Sequence, residues 1–224
     1  MSMIPPGALD LPSSQREETA AFLLSLRSKG IRDIAVLRAM EKVPRDLFAP
    51  RRFADLARAD IALPLPCGQT MTAPAQIAVM LRSLGVEPHH RVLEVGTGSG
   101  YVAAVLGHLG GEVISLERMR TLAIAAVERI ATLGMGNLML EQADGLAAGT
   151  AFGRFDRILL NGSVEQVPPQ LIAALAEGGR LVVAQRGVVG VRMLCVMCHG
   201  AANEEQLGEP LRLPPLVPGL AEAL

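Results

Sequence analysis

The feature that most constrains this chain is a short apolar strand run that breaks at once into glycines. Val92-Leu93-Glu94-Val95 is followed by Gly96-Thr97-Gly98-Ser99-Gly100 and then by a helical run to about Leu109. A strand that turns straight into a helix needs a tight backbone turn, and glycine takes left-handed angles there without a Cβ clash. The alternation repeats downstream. Glu112–Glu117 reads as a second strand, Thr121–Leu133 as a helix stopped by Gly134, and Leu138–Gln142 as a third strand ending at Asp144-Gly145. Arg157–Leu160 reads as a fourth strand, Pro168–Leu175 as a helix, Arg180–Ala184 as a fifth strand and Val191–Met197 as one more. The expected fold is therefore α/β: a Rossmann-like, mainly parallel twisted sheet with helices on both faces. Ligands on such sheets sit beyond the carboxyl ends of the strands.

The first third of the chain reads differently. Met1–Pro12 is a proline-containing lead, and Ser14-x-x-Glu17 is a capping-box pattern opening a helix that Gly30 breaks. A second helix starts near Asp33, carries Ile34, Leu37, Met40 and Val43, and ends at Pro44. Arg45–Asp60 mixes short helical turns with loop. Pro64 and Pro66 mark a loop that continues through Gly68–Thr72, and Pro74 suits the first turn of a helix stopped by Gly85. The expected division is an N-terminal helical extension with a site loop over 1–75 and a Rossmann-like domain over 76–224, packed as one compact unit.

Composition narrows the partners. Half of the 224 residues are hydrophobic, and 21 basic against 22 acidic residues leave a net charge of −1. That balance argues against nucleic acid as an obligatory partner. No apolar run is long enough to span a bilayer, and Met1–Asp10 lacks the basic and apolar regions of an export signal. With three cysteines, an odd number, the expectation is a cytoplasmic protein with reduced thiols and no membrane partner. A mean hydropathy of +0.35 leaves room for a homo-oligomeric interface.

The glycine turn is not a dinucleotide fingerprint, because the position of the third small residue holds Tyr101. An acidic residue two places before Gly96 also suits a cationic ligand better than a pyrophosphate. S-adenosyl-L-methionine carries a sulfonium and an ammonium and no phosphate. Glu94 is placed to face that positive end, with Gly96 and Gly98 lining it. Glu117, at the tip of the second strand, is placed to accept from both ribose hydroxyls. Asp144 is placed to meet the adenine amino group, with Gly145 leaving room for the ring.

A family resemblance adds the acceptor side. The matching segments run Val36–Pro50, Asp60, Leu63-Pro64, Gly68-Gln69-Thr70-Met71-Thr72-Ala73-Pro74, Arg91–Tyr101, Asp144-Gly145, Phe155-Asp156-Arg157, Val167-Pro168 and Gly178–Val183. In this order the chain resembles the protein-L-isoaspartate O-methyltransferases, and the Gly-Gln-Thr-x-Ser/Thr-x-Pro loop is the most particular part of the match. The resemblance implies S-adenosylmethionine as cofactor and a protein or peptide bearing isoaspartate as partner. It also implies protein repair, in which a methyl ester closes to a succinimide that hydrolyses partly to aspartate. It places Thr72, with Thr70, at the acceptor carboxylate, where the family usually has Ser for Thr72; the bland reading of Thr72 is a cap for the helix at Pro74. Gln69, Thr70, Met71, Thr97, Gly100 and Arg118 join the expected cofactor contacts. Three segments depart from the family pattern: Asn161–Gln166, Ala184-Gln185-Arg186, and a closing strand legible only as Leu211–Leu216 with Pro214 and Pro215 inside it. A different small-molecule or peptide acceptor, and a non-catalytic protein retaining the fold, are the alternatives.

Two further patterns are discounted. Cys195-Val-Met-Cys198-His199 matches a c-type haem attachment sequence, but the segment reads as a strand, which places positions three apart on opposite faces. His89-His90 reads as a solvated turn before the first strand, and no metal is expected.

Overall fold

The computed structural model describes residues 13–200 and 202–221. The Met1–Pro12 lead lies outside them, as does the side chain of the expected cap Ser14. Helices α1 (Ser13–Ser28), α2 (Ile34–Lys42) and α3 (Arg45–Phe48) come first, followed by a 3-10 turn at Arg51–Leu56. Asp33 caps α2, its Oδ1 accepting from the Val36 amide at 2.9 Å, which satisfies one of the orphan donors of the first turn. A small antiparallel pair follows, β1 (Leu63–Pro64) and β2 (Thr70–Met71), and leads into α4 (Pro74–Leu84). Gly85 ends α4 in the left-handed conformation.

The main sheet is built from β3 (Arg91–Val95), β4 (Glu112–Glu117), β5 (Leu138–Gln142), β6 (Phe155–Val164), β7 (Leu175–Gly187), β8 (Gly190–His199) and β9 (Ala202–Pro210). Helices α5 (Tyr101–Leu109), α6 (Arg120–Ala131) and α7 (Pro169–Ala173) connect them. The spatial order is β5-β4-β3-β6-β7-β8-β9. The five strands from β5 to β7 run parallel, and β7-β8-β9 form an antiparallel meander at one edge.

Strand periodicity splits the core in two. Val92, Val113, Leu159 and Val182 join a cluster with residues of α1, α2, α4 and α5, while Leu93, Ile114, Leu160 and Val183 point the other way, towards α7. Side chains one residue apart on a strand face opposite sides, so these near-continuous apolar runs supply both layers. Cys195 and Cys198 of β8 pack against different clusters, as a strand spacing of three requires.

Two expectations need correction. The fourth strand expected from the sequence, Arg157–Leu160, runs from Phe155 to Val164 as β6. The closing strand is Ala202–Pro210 rather than Leu211–Leu216. It is solvent-facing and carries Glu204, Glu205 and Glu209, so it lacks an apolar alternation; charged residues and Pro210 protect an exposed sheet edge. Residues 211–221 instead form a strap across the carboxyl ends of the parallel strands. The Ser163 amide donates to the Pro214 carbonyl and the Leu216 amide to the Ser163 carbonyl, both at 2.8 Å. Farther along, the Gly219 amide donates to Asp144 Oδ2 at 2.7 Å and the Ala221 amide to the Arg118 carbonyl at 3.1 Å. Gly162 makes room for this crossing, since a Cβ there would lie 2.6 Å from Leu216 Cγ.

Candidate active-site cleft

The strand ends and the strap enclose a cleft with an empty volume of about 810 Å³, its open mouth included. Of the residues expected from the sequence, Gln69, Thr70, Met71, Thr72, Gly96, Thr97, Gly98, Glu117, Arg118, Asp144 and Gly145 line it. Glu94 and Gly100 do not. Gly100 sits at the start of α5 with φ 90°, and a Cβ there would press on Ala126 and Ile130 of α6. Its absence of side chain serves helix packing rather than ligand contact.

Glu94 lies beneath the cleft with no solvent exposure. Its Oε2 accepts from Ser115 Oγ at 2.6 Å and its Oε1 from Asn161 Nδ2 at 3.4 Å. Burial pushes its pKa from 4.5 up to about 8; the hydrogen bonds from Ser115 and Asn161 act against that, and the nearby Glu117 adds to it. The Thr97 and Ser115 hydroxyls are 2.6 Å apart, which ties the glycine turn to the same group.

Glu117 is fixed from two sides: Oε2 accepts from the Gly98 amide at 2.8 Å and Oε1 from the Met119 amide at 2.9 Å. Each oxygen keeps a second lone pair for a ligand diol. Asp144 closes a local turn through the Leu146 amide at 3.1 Å and holds the strap through Gly219. Arg118 lines the cleft, yet its Nε is spent on the Gly219 carbonyl at 2.7 Å. Gly145 is required by its approach to β3: a Cβ would lie 2.5 Å from Val95 Cγ1.

The loop that carries Thr70 and Thr72 is a hairpin. β1 and β2 pair Leu63 with Met71 and Pro64 with Thr70, and the turn passes through Cys67 and Gly68 at φ 58° and 67°. Thr72 follows, 6 % exposed, its hydroxyl donating to Asn161 Oδ1 at 3.3 Å. It is not the cap of α4: Asp60 Oδ1 takes the Ala75 amide at 2.8 Å instead. The Thr72 carbonyl accepts from the Arg45 guanidinium at 3.0 Å.

Sequence reasoning missed four contributors. Asn161 bridges Thr72, Glu94 and the Gly96 carbonyl; its departure from the family pattern was visible, its partners were not. Ser115 faces inward from mid-strand, Arg45 reaches in from α3, and Pro214–Val217 of the strap line the cleft. Among the described residues, Glu87, His89 and His90 form a group of metal-ligand types on the far side of the sheet. There His90 Nδ1 already accepts from the Glu87 amide at 2.8 Å, which commits its lone pair.

A glycine turn without a phosphate fingerprint, with acidic groups at the tip of β4 and just after β5 lining one cleft, fits a Rossmann-like methyltransferase of the S-adenosylmethionine-dependent class. The family model of protein-L-isoaspartate(D-aspartate) O-methyltransferase matches residues 17–194, and the chain belongs to that family. It is 42% identical over 216 residues to protein-L-isoaspartate O-methyltransferase of Rhodopseudomonas palustris, covering 96% of this chain and 100% of the relative. The counterpart in Azorhizobium caulinodans is 41% identical over 94% of this chain and 98% of its own length. Among solved structures, a putative protein-L-isoaspartate O-methyltransferase from Plasmodium falciparum in complex with S-adenosyl-L-homocysteine superposes with a TM-score of 0.78. It is 22% identical, over 88% of this chain and 97% of that one.

Two predictions follow from this geometry. The folded protein keeps on Glu94 a proton that the unfolded chain releases near pH 4.5, so the Glu94 contribution to stability falls as pH rises from there to about 8. The slope is about 1.4 kcal/mol per pH unit, and urea unfolding of Glu94→Gln across this range is expected to lack it. Gly145→Ala is expected to lose about 1–3 kcal/mol through the forced contact with Val95, read in the same unfolding assay, and to weaken cofactor binding in calorimetry.

Proposed function

We infer that the cleft performs methyl transfer from S-adenosylmethionine to the free carboxylate of L-isoaspartyl residues in damaged proteins or peptides. The observation that carries this reading is the meeting of two halves in one cleft: the Thr70–Thr72 hairpin end and the Glu94–Glu117–Asp144 strand tips. When bound, S-adenosylmethionine supplies an electrophilic methyl group on a sulfonium. Glu117, with its open lone pairs, and Asp144 give that cofactor an anionic seat above the buried, protonated Glu94, with Gln69, Thr70, Met71, Thr97 and Arg118 around it.

An acceptor carboxylate is ionised at neutral pH, so its methylation calls for no general base. The protein's task is to exclude water and hold one carboxylate oxygen in line. Thr72 is the group for this. Its present bond to Asn161 is long at 3.3 Å, so the hydroxyl readily redirects that hydrogen bond to a stronger, charged acceptor. Asn161 keeps the hydroxyl aimed until then. The methyl ester so formed is attacked by the neighbouring backbone amide nitrogen of the substrate, which expels methanol and closes a succinimide, and water reopens that ring partly to aspartate. The three described cysteines are free and no described helix is long and apolar enough to cross a membrane, which supports a cytoplasmic setting.

The deciding assay is transfer of labelled methyl to a short isoaspartyl peptide with its aspartyl twin as control. Methylation of the isoaspartyl peptide alone is expected. Failure with both, while calorimetry shows cofactor bound, would point to a different acceptor; no cofactor binding at all would point to a non-catalytic descendant of the fold. Thr72→Val is expected to lower kcat by roughly tenfold to a hundredfold, as loss of one positioning hydrogen bond does. Its cofactor affinity should stay at the parental value in calorimetry.

A further inference from the structure

Arg45 is 2 % exposed, yet every group it is bonded to is a neutral carbonyl. One terminal nitrogen donates to the Ala57 carbonyl; the other donates to the carbonyls of Thr72 at 3.0 Å and Ile61 at 3.4 Å. Among the described residues its Nε has no partner. The charged or titratable groups acting on it are Tyr101 and Asp60. Asp60 is already committed, with Oδ1 on the Ala75 amide and Oδ2 on Lys29. Tyr101, whose ring lies 5.8 Å from the guanidinium carbon, is neutral, burial holding its hydroxyl well above the ordinary phenol range.

A buried cation normally pairs with a carboxylate, because its desolvation is otherwise uncompensated. Burial lowers the Arg45 pKa to about 10, which still leaves it charged at neutral pH. This charge stands directly behind the peptide of Thr72. The cofactor end of the cleft carries the opposite sign, with Glu117 and Asp144 on its wall, while Arg118 beside them spends its Nε on the Gly219 carbonyl. An anionic acceptor entering there meets these two acidic groups, and Arg45 is the cation bonded to the residue that receives it.

We propose that Arg45 is a positioning and specificity-determining residue, whose carbonyl-held guanidinium fixes the Thr72 loop and biases the acceptor subsite towards an ionised carboxylate. The proposal rests on the isoaspartyl acceptor argued above. Through a low-dielectric wall, a unit charge one residue away is worth on the order of tenfold or more in affinity for an anion. A neutral amide of the same shape gains none of this.

The test is equilibrium binding to the full-length protein saturated with S-adenosylhomocysteine, comparing an isoaspartyl peptide with its isoasparaginyl twin by calorimetry. The parent protein is expected to prefer the isoaspartyl peptide by about tenfold or more. Arg45→Met should bring the ratio close to one by weakening the isoaspartyl peptide alone, with S-adenosylhomocysteine affinity unchanged. Arg45→Lys keeps the charge but not the planar fork, so it should retain the preference while kcat falls and KM holds. Equal binding of the twins by the parent overturns the proposal, and so does an equal loss of both in Arg45→Met, the mark of a merely structural role. If Arg45→Met does not fold, Arg45→Lys decides: a lost preference with intact S-adenosylhomocysteine binding overturns the proposal, and a retained one supports it. Binding of neither twin by a parent that takes S-adenosylhomocysteine normally overturns the isoaspartyl reading itself, and this proposal with it.

Discussion

The backbone between β3 and α5 has to pass between the tips of β4 and β6, and the cleft exists because it does so without side chains in the way. The Gly96 amide donates to the Leu116 carbonyl at 2.9 Å, and the Gly98 amide to Glu117 at 2.8 Å. On the other flank, Asn161 Nδ2 reaches the Gly96 carbonyl at 3.3 Å. Gly96, Gly98 and Gly100 all take positive φ values, between 56° and 93°, a region that L side chains enter at a cost of roughly 1–2 kcal/mol. The turn is therefore bonded to both neighbouring strands, and its position sets those of Glu94 below and α5 beyond.

Charge is sorted across this turn. Carboxylates end β4 and follow β5, and a third acidic group, kept protonated, is buried within β3; the hairpin that carries Thr72 is backed instead by a guanidinium. Such an arrangement suits a reaction that brings a cationic donor and an anionic acceptor together and leaves neutral groups after transfer. It also has a cost, visible in the raised pKa of Glu94 and the lowered pKa of Arg45. Both residues are held away from water by the packing that gives them their effect, since a solvated charge would be screened.

The segments that depart from the family pattern turn out to be structurally connected. Asn161 and Gly162 extend β6 beneath the strap, with Asn161 bonded to the acceptor hydroxyl and Gly162 vacating the space that Leu216 fills. The Leu211–Leu216 run, which reads as a broken strand, crosses the strand ends and covers the cofactor side. Its prolines suit that role, because a crossing segment makes only scattered hydrogen bonds and a missing amide there leaves no ladder incomplete. The replacements are thus packed against one another.

By itself the sequence determined the alternation of parallel strands and helices, the glycine turn, the loop with its two threonines and the strand-end positions of Glu117 and Asp144. These are local matters: apolar runs of strand length, glycine where the backbone must turn, and acidic residues immediately after strands. Tertiary structure alone decided that Glu94 lies under the cleft instead of facing it, that Asp60 and not Thr72 caps α4, and that Asn161 and Arg45 hold the acceptor threonine. It also decided that a polar run, Ala202–Pro210, becomes the closing strand. The physical reason is that burial, and the partner a polar group finds on burial, depend on residues far away in the chain: 89 positions separate Thr72 from Asn161 and 27 separate it from Arg45. No local pattern encodes those distances, whereas the meeting of α3, the hairpin end and β6 at Thr72 does.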